Sequence, residues 1–402
     1  MALTIVQNTP IPGSATASMT STVGEPSLGN SGNDIFFTGN WYAASSANHG
    51  GSWTGVNPFT ALPTVDGGFC CDQTVVFVPQ SNIFVWLLQY IEKNGTNTLR
   101  VAVRTLPNAW HWWDFKPTTL NSSWTNQWFD YNSVAYSDKF LYVTSNMFAS
   151  GAGGGWLRAV VIRLPLAALA SGTGLSFNYF ATTSNGSLRC TLGATTTMYF
   201  GSHNSQSQLR VFTWPESTTT VSQTSVNVTA WNGGTYSAPT PGGGEWMSRT
   251  DGRITAAWLS GNTIGFAWTA NKQSGRPYPF IRVVQIDATS KAVTAQPDLW
   301  NASYAYAYPD VCPNAAGIPG LSAFRGGGAL YPSHLVGMLN GTTWSLVQTS
   351  AGTHAPTDKK WGDYLTCRRH NPDGTSWIAA GYTLQGGGAR TNIVPRFVQF
   401  RG

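Results

Sequence analysis

Charge is what this 402-residue chain has least of. Asp, Glu, Lys and Arg make up 10% of it, where a typical soluble domain carries about 25%. The basic surplus (23 Lys and Arg against 17 Asp and Glu, net +6) is scattered, with no Lys/Arg block longer than two. Dispersed charge of this kind argues against a nucleic-acid partner. No apolar run approaches the ~18 residues of a membrane span. The opening stretch, MALTIVQNTPIPGSATASMT, has neither a basic segment nor a long apolar one, so it does not read as a secretory leader. The chain is expected to be an extracellular protein whose leader has been removed. Helical periodicity is nearly lacking, with LPLAALASG (Leu164–Gly172) able to form a turn or two. The six histidines show no His-x-x-x-His spacing, and there is no Gly-x-Ser-x-Gly elbow or phosphate-binding loop. Zinc, a hydrolase triad and nucleotide binding therefore have no basis, and no cofactor is expected.

What remains is apolar content of 42%, enough for a core, and much Gly, Ser, Thr, Asn and Trp. Short strand-like runs broken by Gly, Asn, Asp and Ser read as all-β. They also repeat. A polar residue, a strand, a tight turn and a second strand recur in DQTVVFVPQSNIFVWLLQ, DYNSVAYSDKFLYVTSN and RITAAWLSGNTIGFAWTAN. The leading polar residues are Glu25, Asp72, Asp130, Arg189, Arg253, Asp310 and Asp363, at steps of 47, 58, 59, 64, 57 and 53. Five of the units are followed by an apolar–Arg–strand signature, as in TLRVAV (Arg100), WLRAVV (Arg158) and FIRVVQ (Arg282).

A repeat of this length with several strands is the signature of a β-propeller blade. One blade cannot bury both faces of its sheet, so blades must stack and the ring must close. The spacing predicts a single propeller domain over 1–402 with seven four-stranded blades, near 20–66, 67–124, 125–184, 185–240, 241–302, 303–356 and 357–402. Six or eight blades are alternatives, and two stacked β-sandwiches are the competing fold. The lone N-terminal strand LTIVQN (3–8) is expected to pair with RFVQF (396–400) and protect an edge.

SANHGGSW (Ser46–Trp53) resembles the Asp-box, Ser-x-Asp-x-Gly-x-Thr-Trp, of sialidase-like propellers, with Asn48 at the Asp position. LNGTTW (Leu339–Trp344) keeps the Gly-x-x-Trp end, and WGDYLT and GEPSLG are similar to blade openings of that superfamily. The resemblance implies a hairpin between outer strands, with Asn48 bonding turn backbone, Gly50 at positive φ and Trp53 between blades. It does not imply sialidase activity. The nearest match to that family's Phe-Arg-Ile-Pro is AFRGGG (Phe324, Arg325), which lacks Ile-Pro.

In a propeller the innermost strands start at the mouth of the central channel. The seven leading residues are therefore expected to form a ring there. Its acids could share protons, or hold a cation such as Ca2+. Its arginines present donor forks for a carboxylate or sulfate. Asp72, Asp130 and Asp363, with His203 from FGSHN, are the candidates for acid–base chemistry. Glu25, Arg189, Arg253 and Asp310 are the candidates for ligand contacts. Aromatic residues read as lying in connections, Trp110, His111, Trp112 and Trp113 of NAWHWWDF and Tyr308 of NASYAYAYPD, are candidates for stacking on sugar rings. The implied function is recognition of a glycan, acidic sugars included, at the channel mouth. The alternatives are a glycosidase or polysaccharide lyase, and a structural protein that self-assembles into oligomers or filaments.

The five cysteines are Cys70, Cys71, Cys190, Cys312 and Cys367. Neighbouring Cα atoms lie 3.8 Å apart, short of the usual disulfide range of about 4.4–6.8 Å. The simplest reading of Cys70 and Cys71 is two small free residues pointing to opposite faces of a strand.

Overall fold

The computed structural model describes residues 2–106, 109–151 and 153–402. It contains seven four-stranded antiparallel sheets. Six are built from consecutive strands running outward from the channel: blade 1 (27–56), blade 2 (69–115), blade 3 (127–182), blade 4 (189–227), blade 5 (254–295) and blade 6 (305–350). Blade 7 is composite. Thr366–Arg369, Trp377–Leu384 and Ile393–Arg401 are its inner three strands, and Thr4–Pro10 from the N-terminus is its outermost. The register runs from Thr4 opposite Arg401 to Pro10 opposite Arg396. The expected closure of the ring is therefore present. The short helices include Leu166–Ser171, which ends on Gly172 in the left-handed region (φ 68°). No helix among the described residues is long and apolar enough to cross a membrane.

Strand composition follows position in the blade. The second strand of blade 2, IFVWLLQY (Ile83–Tyr90), is buried throughout because other blades cover both its faces. A strand of that kind reads as a continuous apolar run. The outer strand of blade 4, SQTSVN (Ser222–Asn227), is buried only at Val226 and is otherwise polar. Tryptophans fill the wedges between blades. Trp86, Trp214, Trp246, Trp258, Trp268, Trp361 and Trp377 are fully buried. Trp377 donates its Nε1–H to the Cys312 carbonyl of blade 6 at 2.9 Å. The same indole lies over Gly320, where an added Cβ would come within 2.6 Å of the ring. Any side chain there would have to push the two blades apart.

The turn at Ser46–Trp53 joins the third and fourth strands of blade 1. Asn48 Oδ1 accepts from the Ser52 N–H at 2.8 Å, and Ser46 Oγ accepts from the Gly50 N–H at 2.8 Å. Gly50 has φ 79°. Trp53 packs edge-on against Phe37 of its own blade and Phe397 of blade 7. Asn340–Thr343 makes the corresponding hairpin in blade 6, where Trp344 donates to the Pro297 carbonyl at 2.8 Å.

Two expectations are corrected here. Cys70 and Cys71 are joined by a disulfide, while Cys190, Cys312 and Cys367 are free and buried. The strand pairing shows why the expectation of two free residues failed. Phe69 lies opposite Tyr90 and Gln73 opposite Leu88, so Cys70, Cys71 and Asp72 together face only Gln89. The bulge abolishes the alternation that would have sent the two sulfurs to opposite faces. The second correction concerns NAWHWWDF. Asn108 lies outside the described residues, and Ala109–Phe115 is the outermost strand of blade 2 rather than a connection. Trp113 pairs with Val101 and Trp112 with Ala102. Neither is near the channel. Trp113 packs on the apolar core shared by blades 2 and 3, and Trp112 is 40% exposed on the rim.

Candidate site at the channel mouth

Equivalent contacts between blades set the level of each predicted ring residue. Thr366 Oγ1 of blade 7 donates to the Pro26 carbonyl at 2.9 Å, and Thr255 Oγ1 of blade 5 donates to the Pro309 carbonyl at 2.7 Å. Glu25 and Tyr308 each precede the proline so engaged, and both have positive φ (43° and 56°). They occupy the same level. Asp310 therefore sits two residues deeper than the ring in which the sequence spacing puts it. Asp130 and Asp363 immediately precede Tyr131 and Tyr364, which take part in the same mouth.

Glu25, Asp72, Asp130 and Asp363 interact electrostatically around this mouth. Glu25 is 2% exposed and Asp72 half-buried. The two carboxyls share a hydrogen bond, and neither forms an ion pair among the described residues. Burial and the neighbouring acids push Glu25 well above the usual carboxylate range. Burial, with Asp130 and Asp363 nearby, raises Asp72 to about 7. The pair thus keeps a proton at neutral pH, shared between the two carboxyls. Asp130 is raised by burial, although Gln89 Nε2 (3.2 Å) and the Tyr131 N–H (2.9 Å) donate to it.

The opposite side of the mouth is cationic. Arg249 contacts Asp363 at 2.9 Å. Arg253 bonds Asp251 at 2.6 Å, reaches Asp363 at 3.7 Å, and lies over the Tyr131 ring at 3.9 Å. Arg249 and Tyr131 escaped the sequence reading because both fall just off the repeat position. Adjacency to a leading residue was the signal that could have found Tyr131. No three of the described His, Cys, Asp and Glu side chains converge as ligands for one metal ion.

Asp310 and Arg189 lie below this cluster, and Tyr308 packs beside it. Asp310 is fully buried, bonded to Arg189 at 3.1 Å, to Arg368 at 2.8 Å and to the Cys367 N–H at 2.9 Å. Arg189 belongs to blade 4, Asp310 to blade 6 and Arg368 to blade 7, so this bridge crosses the channel below the mouth. Tyr308, expected in a loop, is buried in an aromatic cluster with Trp246 and Phe324, and its hydroxyl bonds Thr250 at 2.5 Å.

His203 lies on the second strand of blade 4, beside the mouth rather than in it. Its Nε2 contacts the Gly252 carbonyl at 2.7 Å and therefore carries the proton. The ring is held between Trp231 and Trp268, and burial lowers its pKa to about 4. It is a neutral hydrogen-bonding group at physiological pH rather than a proton shuttle. It lines an open cleft of about 540 Å³ between blades 4 and 5, together with Trp231, Asp251 and Arg253. Arg253 joins that cleft to the mouth.

No protein-family model and no curated protein matches the chain. Among solved structures, it is similar to a protein of unknown function from Dyadobacter fermentans (TM-score 0.48, 10% identity, 100% of this chain and 99% of that one). It is also similar to Trypanosoma rangeli sialidase in complex with sialic acid (TM-score 0.46, 8% identity, 84% of this chain and 55% of that one). A third similar structure is the Penicillium chrysogenum α-L-arabinanase complexed with arabinobiose (TM-score 0.43, 9% identity, 99% of this chain and 97% of that one).

Proposed function

We propose that the channel mouth recognises a glycan outside the cell. The observation that carries this reading is the Glu25–Asp72 pair, two carboxyls held together with no ion pair to either among the described residues. Such a pair costs stability, and clustered groups of strongly shifted pKa mark ligand sites. Together the pair can donate and accept hydrogen bonds, as a sugar diol requires. Gln89, Asp130 and Arg253 add polar groups around it. Asp363 and Asp251 already occupy Arg249 and Arg253, so the mouth as a whole favours a neutral sugar over an acidic one. The cleft with Trp231 and His203 offers room and an aromatic wall for a longer chain.

A second reading, cleavage of the glycan, is favoured by the proton that Asp72 keeps up to about 7. Asp72 would protonate the leaving oxygen while Asp363, positioned by Arg249, acts as the base. A glycan array combined with a polysaccharide-degradation screen separates the readings, using the protein and Asp72→Asn. Binding without product supports recognition. Product that disappears in the variant supports cleavage. If neither binding nor product is found and electron microscopy shows filaments, the self-assembly reading replaces both.

A further inference from the structure

The opposite end of the channel has different chemistry. Inner strands of six blades finish there and enclose a cavity of about 170 Å³ that includes Asn30, Tyr136, Gly193, Cys312, Arg368 and Arg369. The bridge from Arg189 through Asp310 to Arg368 separates it from the mouth. Arg369 lines the cavity, and among the described residues its side chain makes one hydrogen bond, from Nε to the Pro313 carbonyl at 3.3 Å. No carboxylate lies within ion-pair distance of it among the described residues. Arg368 shares Asp310 with Arg189, and its Nε is buried without a partner although the side chain is only 8% exposed. The Tyr136 hydroxyl lies close enough to both arginines to feel their charge, and it donates to no protein acceptor among the described residues. Burial raises its pKa to about 12, so it remains a donor throughout the physiological range. One acid, Asp138, is among the lining residues, and it is exposed on the rim.

A partly open cavity with one guanidinium free of ion pairs, a second holding an orphan N–H and a phenol without an acceptor is complementary to a small negative group with several acceptor oxygens. We propose that this lower chamber binds a small oxyanion, a carboxylate or an inorganic oxyanion, on Arg369 and Tyr136 with support from Arg368. The site is independent of the glycan reading of the mouth, since it shares no residue with it.

The test uses the full chain in thermal unfolding and calorimetric titration with sodium acetate and, separately, sodium sulfate, at ionic strength held constant with sodium chloride. A saturable response is expected for at least one anion. Arg369→Gln, which removes no ion pair of the fold, is expected to weaken it about tenfold or more, and Tyr136→Phe by a smaller factor of about threefold to tenfold. A response to acetate alone identifies a carboxylate ligand, and a response to sulfate alone an inorganic oxyanion. Equal responses in the protein and in Arg369→Gln would mean a general salt effect and would overturn the proposal. So would the lack of a saturable response to either anion. Should Arg369→Gln prove unstable, Tyr136→Phe supplies the same comparison. Glycan binding at the mouth is expected to be unchanged in both variants.

Discussion

At the channel mouth Glu25 and Asp72 face each other across a shared proton, whereas deeper down Asp310 faces two guanidinium groups. All three are acids on or beside inner strands of a propeller, and two of them, Glu25 and Asp310, are equally shut off from water. What separates them is counter-charge. Asp310 has Arg189, Arg368 and a backbone N–H, so its charge is fully answered. Glu25 and Asp72 have only each other and more distant arginines, so burial forces protonation instead. An acid bound into the fold in the first way serves the architecture. An acid left in the second state is available to a ligand.

Removing each kind of carboxylate in turn tests whether counter-charge is what separates them. Asp310→Asn leaves two buried arginines without a partner and is expected to cost about 3–5 kcal/mol in urea unfolding. Asp72→Asn removes a costly buried acid and is expected to leave the folded state as stable or more so, while abolishing glycan binding. Equal destabilisation by both substitutions would erase the distinction.

The stability of the chain is expected to depend on pH through Asp72. Asp72 holds its proton up to about 7 in the folded chain and loses it near 3.9 when unfolded. The folded state therefore binds more protons between those values. This contribution to stability is fully present below about 4 and is lost as pH rises through about 7. Solvent reaches Asp72, which keeps the effect on the order of 2 kcal/mol. Unfolding midpoints measured between pH 4 and 8 should fall across that range, and the fall should be shallower in Asp72→Asn. A midpoint that rises steadily with pH would show the carboxyl pair to be charge-compensated after all.

The blade count and the ring closure were legible because blade stacking imposes a long-range period, and a lone strand at one terminus needs a partner at the other. The acidic character of the mouth was legible for the same reason, since Glu25, Asp72, Asp130 and Asp363 lie at or one residue from the repeat position. The level of each residue was not. The bulges at Cys70–Asp72, Tyr131 and Tyr308 shift side chains by one or two positions, and spacing alone cannot register such a shift. The same bulge brought Cys70 and Cys71 together. Alkylation before unfolding and again after it is expected to label no more than three thiols, Cys190, Cys312 and Cys367, and these slowly in the native state because burial raises all three. Labelling of five thiols without a reductant would remove the disulfide. The aromatic run Trp110–Trp113 misled in another way. A tryptophan-rich strand on the rim and a tryptophan-rich sugar-binding loop have the same composition, and only the pairing with Leu99–Thr105 tells them apart.

The least change is expected at Trp112. Trp112 is 40% exposed on the outer strand of blade 2, and the Arg100 guanidinium lies 5.6 Å from its ring. Arg100 is independently fixed by Asp114 at 2.6 Å and by the Tyr90 hydroxyl at 2.8 Å, so it keeps its place without the indole. Trp112→Ala is therefore expected to cost about 0.5–1 kcal/mol, the value of one exposed cation–π contact, and to leave glycan affinity unchanged. Trp231→Ala is the matched control, since Trp231 lines the cleft joined to the mouth by Arg253. The mouth variants and Trp231→Ala are expected to lower glycan affinity, and Trp112→Ala is expected not to. A loss of affinity in Trp112→Ala that equals the loss in Asp72→Asn would move the ligand from the channel mouth to the outer rim of blade 2.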